Sequence, residues 1–387
     1  MDAESGKRIL IVVGEASADR YGARLVQKLR SSHGNDSLHF YGTGGDEMKN
    51  AGVELVGHVR DLAHIGPREA MAHFRRYFET FQKLVQSSLE HPPDLAILLD
   101  FPEFNLRLAK KMKRAGVKVI YYISPQLWAW RRGRIRTVRK YVDKMLVILP
   151  FEEEYYRERG IEVEFVGHPL LEDFAPRYNR EVFLRSLGLD PQWKTVAILP
   201  GSRRKEVDYI LPTLLKSAQL ILRQRPAQFV VSAAPTIELD HLRQVTWKVL
   251  DRDPNAAHFR IVTVNSRDIL ANSDFAFVKS GTSTLEAALV GTPFLITYRI
   301  SPISWYLGNL LIRSSLKGLV NLIAKEEIVP EFLQGAASPE KLSRVALEYL
   351  EEPEKAARMK SRLAAIREML SVRCASESVA AAVETYL

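Results

Sequence analysis

Four stretches of this 387-residue chain combine apolar runs with residues that can bind anions or move protons. The first, TVAILPGSRRKEV, passes from a strand-like run through Gly201 and Ser202 to Arg203, where a helix is expected to begin. Unpaired N–H groups at a helix N-terminus attract anions, and a guanidinium matches phosphate oxygens. The stretch therefore indicates an anion site, although an ordinary capping turn has the same composition.

The second stretch, KSGTSTLEAALVGTP, is a candidate phosphate-binding turn that contains a carboxylate, Glu286. Its small and hydroxyl-bearing residues are Ser280, Gly281, Thr282, Ser283 and Thr284. Ser283 and Glu286 have the spacing of a capping box, in which the carboxylate only stabilises the helix. Alternatively, Glu286 accepts hydrogen bonds from ribose hydroxyls. The spacing leaves both interpretations open, and Lys279, just before the turn, could add a phosphate contact.

The third stretch, DLAILLDFPEFN, places Asp100 at the end of an apolar strand and close to Pro102. A carboxylate at a strand end could act as general base for a hydroxyl nucleophile, particularly if partial desolvation raised its pKa. It could equally cap the next helix. The sequence does not decide between the two roles.

The fourth candidate consists of two glycine-containing turns, VGEASADRYG after the first strand and YGTGGDEM after the second. The GxGxxG pattern is absent and Glu15 and Asp19 are acidic, so a dinucleotide site is not expected. We interpret Glu15, Ser17, Gly44 and Gly45 as walls of an acceptor site. The sequence has no clustered metal-ligating pattern, so neither a metal nor another cofactor is predicted.

These stretches follow short apolar runs that alternate with segments of helical period, including KRILIVV, LAILLD, TVAILPG and FAFVKSG. The alternation predicts two Rossmann-like α/β domains, each a doubly wound parallel sheet, which would face each other across a central cleft. We place the N-terminal domain at 1–168 and the C-terminal domain at 169–352. Helices at 353–387 could pack back on the N-terminal domain.

The composition, with 46% hydrophobic and 26% charged residues, is that of a folded globular protein. The net charge of +9 favours an anionic partner such as nucleic acid, a membrane surface or a phosphorylated substrate. Basic residues cluster at Lys110–Gly116 and Trp128–Lys140, although a solvated helix face would have the same pattern. The single cysteine, Cys374, is compatible with a reducing, cytoplasmic setting.

Apolar segments bear on contact with a membrane. The first apolar run is too short for a signal peptide, and no run approaches the ~20 residues that cross a bilayer. A helical stripe of Met71, Phe74, Phe78, Phe81 and Val85 is expected to face the core. The segments at 62–67 and 302–313 have the composition of interfacial patches, and a buried interdomain helix would explain the second equally well.

The ordered motifs GEASADRYGARL, LLDFPEFN, YYISPQLWAWRRGRI, FVGHPL, ILPGSRRKEV and SGTSTLEAAL resemble the lipid-A-disaccharide synthase family, which has the two-domain glycosyltransferase B fold. The resemblance extends over nearly the whole chain. It implies transfer of a diacylglucosamine unit from UDP-2,3-diacylglucosamine to the 6-hydroxyl of 2,3-diacylglucosamine 1-phosphate, which yields lipid A disaccharide 1-phosphate and UDP. The fold needs no metal, so protein donors would stabilise the leaving group.

The resemblance also implies roles for individual residues. Arg203, with the turns at Gly201 to Ser202 and Ser280 to Thr284, would hold the diphosphate, and Glu286 would bind the ribose hydroxyls. Asp100 would remove the proton from the attacking hydroxyl, in a single displacement that inverts the anomeric centre. No role is implied for Lys279.

Because both substrates are acylated, the resemblance implies a cytoplasmic enzyme that docks on the anionic cytoplasmic face of the inner membrane, as a monomer or homodimer and without a nucleic-acid partner. A UDP-sugar 2-epimerase of the same fold is the nearest alternative, although it would not need the tryptophan- and leucine-rich patches. A basic RNA-binding or scaffolding protein would explain the charge but not the motifs at strand ends.

Overall fold

A computed structural model describes residues 6–34, 37–62, 70–128, 132–251, 253–299 and 318–387 of the chain. The chain divides into two compact units. The N-terminal unit comprises Met1–Glu172 and Leu370–Leu387, and the C-terminal unit comprises Asp173–Met369. The end of the chain therefore belongs to the N-terminal unit.

Strands and helices alternate along the N-terminal unit. Its strands are β1 Lys7–Val12, β2 Leu38–Gly44, β3 Glu54–His58, β4 Leu95–Leu99, β5 Lys118–Tyr122, β6 Lys144–Val147 and β7 Val163–Phe165. Its helices are α1 Ala16–His33, α2 Asp46–Asn50, α3 Val59–Leu62, α4 Ala70–Glu90, α5 Pro102–Arg114, α6 Ile135–Tyr141 and α7 Pro150–Arg157. The described strands form one seven-stranded parallel sheet in the order β3-β2-β1-β4-β5-β6-β7.

The C-terminal unit repeats this alternation. Its strands are β8 Lys194–Leu199, β9 Ala227–Ser232, β10 Phe259–Val262, β11 Phe275–Lys279, β12 Phe294–Tyr298 and β13 Glu331–Leu333. Its helices are α8 Arg180–Ser186, α9 Arg204–Leu222, α10 Leu239–Leu250, α11 Ser266–Ala271, α12 Thr282–Val290, α13 Leu319–Ala324, α14 Pro339–Glu351 and α15 Pro353–Leu370. The described strands form a six-stranded parallel sheet in the order β10-β9-β8-β11-β12-β13. The last helix of the chain, α16 Ala375–Glu384, packs against α1 in the N-terminal unit.

The first sheet is covered on both faces, as parallel sheets require. Ile11 on β1 belongs to one buried cluster, together with Leu25 of α1 and Val383 of α16. The next residue, Val12, belongs to the cluster on the other face, together with Leu84 of α4. These layers confirm the predicted fold class, two doubly wound parallel sheets.

In both sheets the strand order reverses at one point, between β1 and β4 in the first and between β8 and β11 in the second. Doubly wound sheets bind their ligands at this switch point, outside the carboxyl ends of the strands. The turns that the sequence singled out after β1, β4, β8 and β11 all begin there. The topology therefore places the candidate residues of each unit at its own switch point.

Helix α4 differs in detail from the predicted core-facing stripe. Leu84 is fully buried, and Phe81 and Val85 pack partly buried against the core, but Phe78 is 50% exposed. The prediction for Phe78 was wrong because the buried face is centred on Leu84 rather than on the predicted stripe. The side chains of Met71 and Phe74, and the apolar segments at 63–67 and 302–313, lie outside the described residues. Within the described ranges, no helix is both long and apolar enough to cross a bilayer.

Candidate functional site

The backbone that carries Asp100 is strained. Asp100 has φ 48° and the next residue, Phe101, has φ 46°, so two consecutive non-glycine residues adopt the left-handed region. Each such residue costs about 1–2 kcal/mol, and the conformation persists only where its surroundings hold it. Phe101 is the N-cap residue of α5, so the alternative that Asp100 is the capping residue is wrong.

Buried polar side chains hold this turn in place. The amide of Asn105, which is fully buried, donates to the Leu99 carbonyl at 3.0 Å and to the Asp100 carbonyl at 2.9 Å. The Tyr121 hydroxyl on β5 donates to the same Asp100 carbonyl at 2.5 Å. These bonds hold the backbone carbonyls of Leu99 and Asp100, and therefore the backbone of the turn, in place.

The surroundings of Asp100 raise the pKa of its carboxyl group, which favours proton transfer. Burial, followed by the negative charge of Glu15, raises the pKa of Asp100 from 3.8 to about 6, against an opposing hydrogen bond from the Phe101 backbone N–H. Such a group is ionised at neutral pH, and it is a stronger base than an ordinary aspartate. The structure thus brings together Glu15 and Asp100, which the sequence had placed in separate motifs.

The turn after β1 approaches the Asp100 turn closely. A Cβ atom on Gly14 would lie 2.2 Å from the ring of Phe101, so only glycine fits at that position. Glu15 follows as the N-cap residue of α1 with no side-chain capping bond, and both Glu15 and Ser17 are exposed. These two predicted acceptor-side residues therefore present their side chains to solvent at the switch point.

The other two predicted acceptor-side residues, Gly44 and Gly45, are buried. Asp19, itself buried, accepts hydrogen bonds from the backbone N–H groups of Gly45 at 2.5 Å and Met48 at 3.3 Å. A Cβ atom on Gly45 would lie 2.5 Å from the Asp19 carboxylate, and one on Gly44 would lie 2.8 Å from Met48. Internal packing thus explains both glycines, and Asp19 anchors α2 rather than lining the site.

In the C-terminal unit, backbone N–H groups of the turn after β8 are already hydrogen-bonded to a side chain of the protein. Glu206 is buried, and one of its oxygens accepts from the backbone N–H groups of Ser202 at 3.1 Å and Arg203 at 3.3 Å. Gly201 has φ 115°, and a Cβ there would lie 2.4 Å from that oxygen. The N–H groups expected to bind an anion at this turn are therefore paired with Glu206.

Two side chains of the same turn remain directed at solvent. Arg203 is 79% exposed at the side chain and contacts Glu206 only weakly, at 3.5 Å. Ser202 is exposed as well. The Arg203 guanidinium and the Ser202 hydroxyl are therefore the side-chain groups of this turn that can bind an anion.

The turn after β11 offers backbone N–H groups instead. Helix α12 begins at Thr282 with Gly281 as its N-cap residue. Ser280 N–H donates to Thr297 at 2.9 Å, and Thr284 donates to the Gly281 carbonyl through its N–H at 3.0 Å and its hydroxyl at 2.7 Å. Among the described residues, nothing accepts a hydrogen bond from the N–H groups of Gly281, Thr282 or Ser283. Within the described ranges, these three N–H groups of the predicted set are therefore available to an anion.

Glu286 does not form the predicted capping box. Because Gly281 is the N-cap residue, Glu286 is the fifth residue of α12 and not the third, as a capping box requires. Its carboxylate instead accepts from the Ser266 hydroxyl at 2.8 Å and lies 3.8 Å from the guanidinium of Arg267. The capping-box interpretation is therefore wrong, and the carboxylate lies at the start of α11.

Sequence reasoning missed Glu206, Asn105 and Tyr121. Glu206 stands three residues after Arg203, so the spacing of a capping box could have found it although arginine is not a usual N-cap residue. Tyr121 had no such signal, because pairing between β4 and β5 brings it to the Asp100 turn from another part of the chain. Asn105 lies within six residues of the carbonyls that it bonds, but no sequence pattern marks that contact. Within the described ranges, no three His, Cys, Asp or Glu side chains are grouped to hold a metal ion.

Solved structures with a similar architecture include an epimerase and a glycosyltransferase. The chain superposes on UDP-GlcNAc 2-epimerase from Neisseria meningitidis bound to UDP-GlcNAc with a TM-score of 0.63 at 12% identity, covering 94% of this chain and 99% of that one. It superposes on CalG4, the calicheamicin glycosyltransferase, with a TM-score of 0.61 at 14% identity, covering 99% and 98%. At such identities the likeness shows the fold alone, which is the glycosyltransferase B fold.

Sequence relationships then identify the family. The family model described as lipid-A-disaccharide synthetase matches residues 9–384. The lipid-A-disaccharide synthase of Syntrophus aciditrophicus (strain SB) is 40% identical over 377 residues, which cover 97% of this chain and 97% of the relative. The chain belongs to the lipid-A-disaccharide synthase family and is a hexosyltransferase of lipid A biosynthesis, so the family resemblance read from its motifs is confirmed.

Proposed function

We propose that the protein condenses UDP-2,3-diacylglucosamine with 2,3-diacylglucosamine 1-phosphate. Asp100 takes the proton of the acceptor 6-hydroxyl as its oxygen attacks the anomeric carbon of the donor. The bond from that carbon to the diphosphate breaks, and UDP leaves with the electron pair. A single displacement of this kind inverts the anomeric centre.

The observation that carries this proposal is the state of Asp100. It lies at the switch point after β4, in a strained turn held by Asn105 and Tyr121, with its pKa raised to about 6. A general base works best when its pKa approaches the working pH and its position is fixed. Glu15 and Ser17, exposed beside it, are the better acceptor-side candidates, since Gly44 and Gly45 are buried.

Donor binding falls to the C-terminal unit in this proposal. The Arg203 guanidinium, the Ser202 hydroxyl and the N–H groups of Gly281, Thr282 and Ser283 would hold the diphosphate, where negative charge develops as UDP leaves. Gly201 and Thr284 would shape these turns instead of contacting the ligand, because Gly201 packs closely on Glu206 and both the N–H and the hydroxyl of Thr284 are already paired. The N–H of Ser280 is paired with Thr297, so Ser280 would contact the diphosphate only through its hydroxyl. Glu286 would accept hydrogen bonds from the ribose.

We also propose that the enzyme works at the cytoplasmic face of the inner membrane, where its acylated substrates reside. The structure separates the two basic clusters. The Lys110–Gly116 cluster lies at the C-terminal end of α5 and is followed by Lys118, the first residue of β5. It therefore lies towards the amino ends of the strands, whereas Asp100 follows the carboxyl end of β4. Arg134 of the other cluster bonds Glu103, at the start of α5 next to Asp100. The second cluster is therefore the better candidate to face anionic lipid, and R136E should weaken sedimentation with phosphatidylglycerol vesicles more than K111E does.

The reaction is tested with the purified protein in detergent, supplied with both diacylated substrates. We expect release of UDP together with a disaccharide 1-phosphate, and inversion at the anomeric centre visible by NMR of the product. UDP-2,3-diacylglucosamine that is epimerised, or hydrolysed without a disaccharide being formed, would overturn the proposal.

A further inference from the structure

Lys279 lies at the switch point of the second sheet and forms a largely buried ion pair there. It is the last residue of β11, and its ammonium lies 2.9 Å from a carboxylate oxygen of Glu206 on α9. The two side chains are only 16% and 8% exposed. Since Glu206 caps the turn after β8, this pair links the two turns that flank the switch point.

The ammonium also lies beside the open N-terminus of α12. A Cβ atom on Gly281 would be 3.6 Å from the Lys279 Nζ, although Gly281 itself leaves that space empty. Gly281 is also the first of the three consecutive residues, Gly281, Thr282 and Ser283, whose N–H groups have no acceptor among the described residues. A positive charge and a set of open backbone donors are thus adjacent, which is the arrangement that binds phosphate.

The ion pair with Glu206 does not use all the hydrogen-bond donors of the Lys279 ammonium. A lysine has three N–H donors, and the other described contact of Lys279 is with the ring face of Tyr298, at 5.7 Å. The oxygen of Glu206 that binds the Ser202 and Arg203 N–H groups is not the one that faces Lys279. Glu206 can therefore hold the lysine in place while another donor of the ammonium reaches a ligand.

We propose that Lys279 is a phosphate-binding residue of the donor site, positioned by Glu206 to donate to the diphosphate beside Gly281. This inference rests on the proposed function, because it takes the diphosphate of a UDP-sugar as the ligand. It adds a second cation to Arg203 and assigns Glu206 a positioning role.

The test measures UDP binding by isothermal titration calorimetry. K279M alone would remove the buried cation beside the Glu206 carboxylate, so the informative comparison is E206Q against the double variant E206Q/K279M. We expect the double variant to bind UDP at least about tenfold more weakly than E206Q does. E206Q/K279R, which keeps the positive charge, should recover part of the UDP affinity that E206Q/K279M loses. Uridine has no phosphate, so its affinity, measured by ligand-observed NMR, should be the same in E206Q and E206Q/K279M.

Two results would overturn the inference. Equal UDP affinity in E206Q and E206Q/K279M would show that Lys279 is only a structural partner of Glu206, while the proposed donor site would still stand. A wild-type protein that does not bind UDP at all would overturn the proposed function and this inference together. Melting temperatures of all variants establish that each is folded.

Discussion

The two units of this protein share a topology and differ in the charge at its switch point. In the N-terminal unit the turns after β1 and β4 present carboxylates, Glu15 and Asp100. In the C-terminal unit the equivalent turns, after β8 and β11, present Arg203 and Lys279. The shared strand order predicts where a ligand would bind in each unit, whereas the residues that follow the strands determine the charge that the ligand would meet there.

The two switch points also differ in how their backbones are held. The Asp100 turn forces two non-glycine residues into the left-handed region, and Asn105 and Tyr121 hold it there. The turns after β8 and β11 instead have Gly201 and Gly281 at positive φ, which glycine adopts without strain. A Cβ atom at Gly201 would collide with Glu206, and one at Gly281 would contact the Lys279 ammonium. The first switch point therefore keeps strained non-glycine residues, whereas the second uses glycine.

The largest effect should come from D100N, which removes the base but keeps the shape of the side chain. We expect kcat to fall about 1000-fold, because positioned general bases contribute on this scale. UDP affinity should remain unchanged, since the donor contacts lie in the other unit. Steady-state kinetics and calorimetry measure the two quantities separately.

D143N is the matched control for D100N. Asp143 precedes β6, accepts from Val119 N–H at 2.9 Å and pairs with Lys113. It therefore lies at the amino ends of the strands of the same sheet, whereas Asp100 lies at their carboxyl ends. We expect D143N to lower stability and leave kcat within about threefold of the wild type. Equal losses of kcat in both variants would show that Asp100 acts only through the fold.

The next largest effect is expected on the cationic side. R203A should weaken UDP binding roughly 10–100-fold, because charge-assisted hydrogen bonds to phosphate are lost. Arg204, the next residue, is 66% exposed and lies 3.8 Å from Glu238, so R204A is a control of equal charge change. If R204A weakens UDP binding as much as R203A, general electrostatic attraction and not a specific contact would explain the effect.

A smaller effect should distinguish the role of Glu286 in the donor site. If its carboxylate accepts from the ribose, the wild type should prefer UDP over 2′-deoxy-UDP by about tenfold, and E286A should lose that preference. Competition binding measures both ligands. S266A removes the hydroxyl that donates to Glu286 but leaves the carboxylate, so it should keep the preference. A preference that survives in E286A would remove Glu286 from the ribose site.

Much of this comparison could be predicted from the sequence, because apolar runs followed by Gly, Ser, Asp or Arg mark strand ends in a parallel sheet. Asp100 and Arg203 were found in this way. The partners of the polar groups were not predictable to the same degree. The capping-box interpretation of Glu286 failed because the N-cap residue of α12 is Gly281, two residues before Ser283, and a displaced helix start changes which side chains can cap it.

Long-range contacts account for the remaining differences. Asp19 accepts a hydrogen bond from the backbone N–H of Gly45, a residue that the sequence had assigned to the acceptor site. Asp19 does so from a different element, across 26 residues, and no local pattern reveals such a contact. The buried face of α4 was displaced from the predicted stripe for a similar reason, since its neighbours in the fold choose the face.

The smallest predicted effect concerns the free energy of unfolding, which the buried, ionised carboxylate of Asp100 lowers. Its pKa is raised from 3.8 to about 6, so between these values the folded state binds more protons than the unfolded state. Its contribution to stability is therefore fully present below about pH 4 and is lost as the pH rises through about 6. D100N, which cannot ionise, should be about 1–2 kcal/mol more stable than the wild type at pH 8. Thermal melts at pH 8 and pH 4.5 should show an advantage of roughly 2–4 °C that shrinks at the lower pH. An advantage that grows on acidification would mean that the carboxylate is stabilised, not strained, by its surroundings.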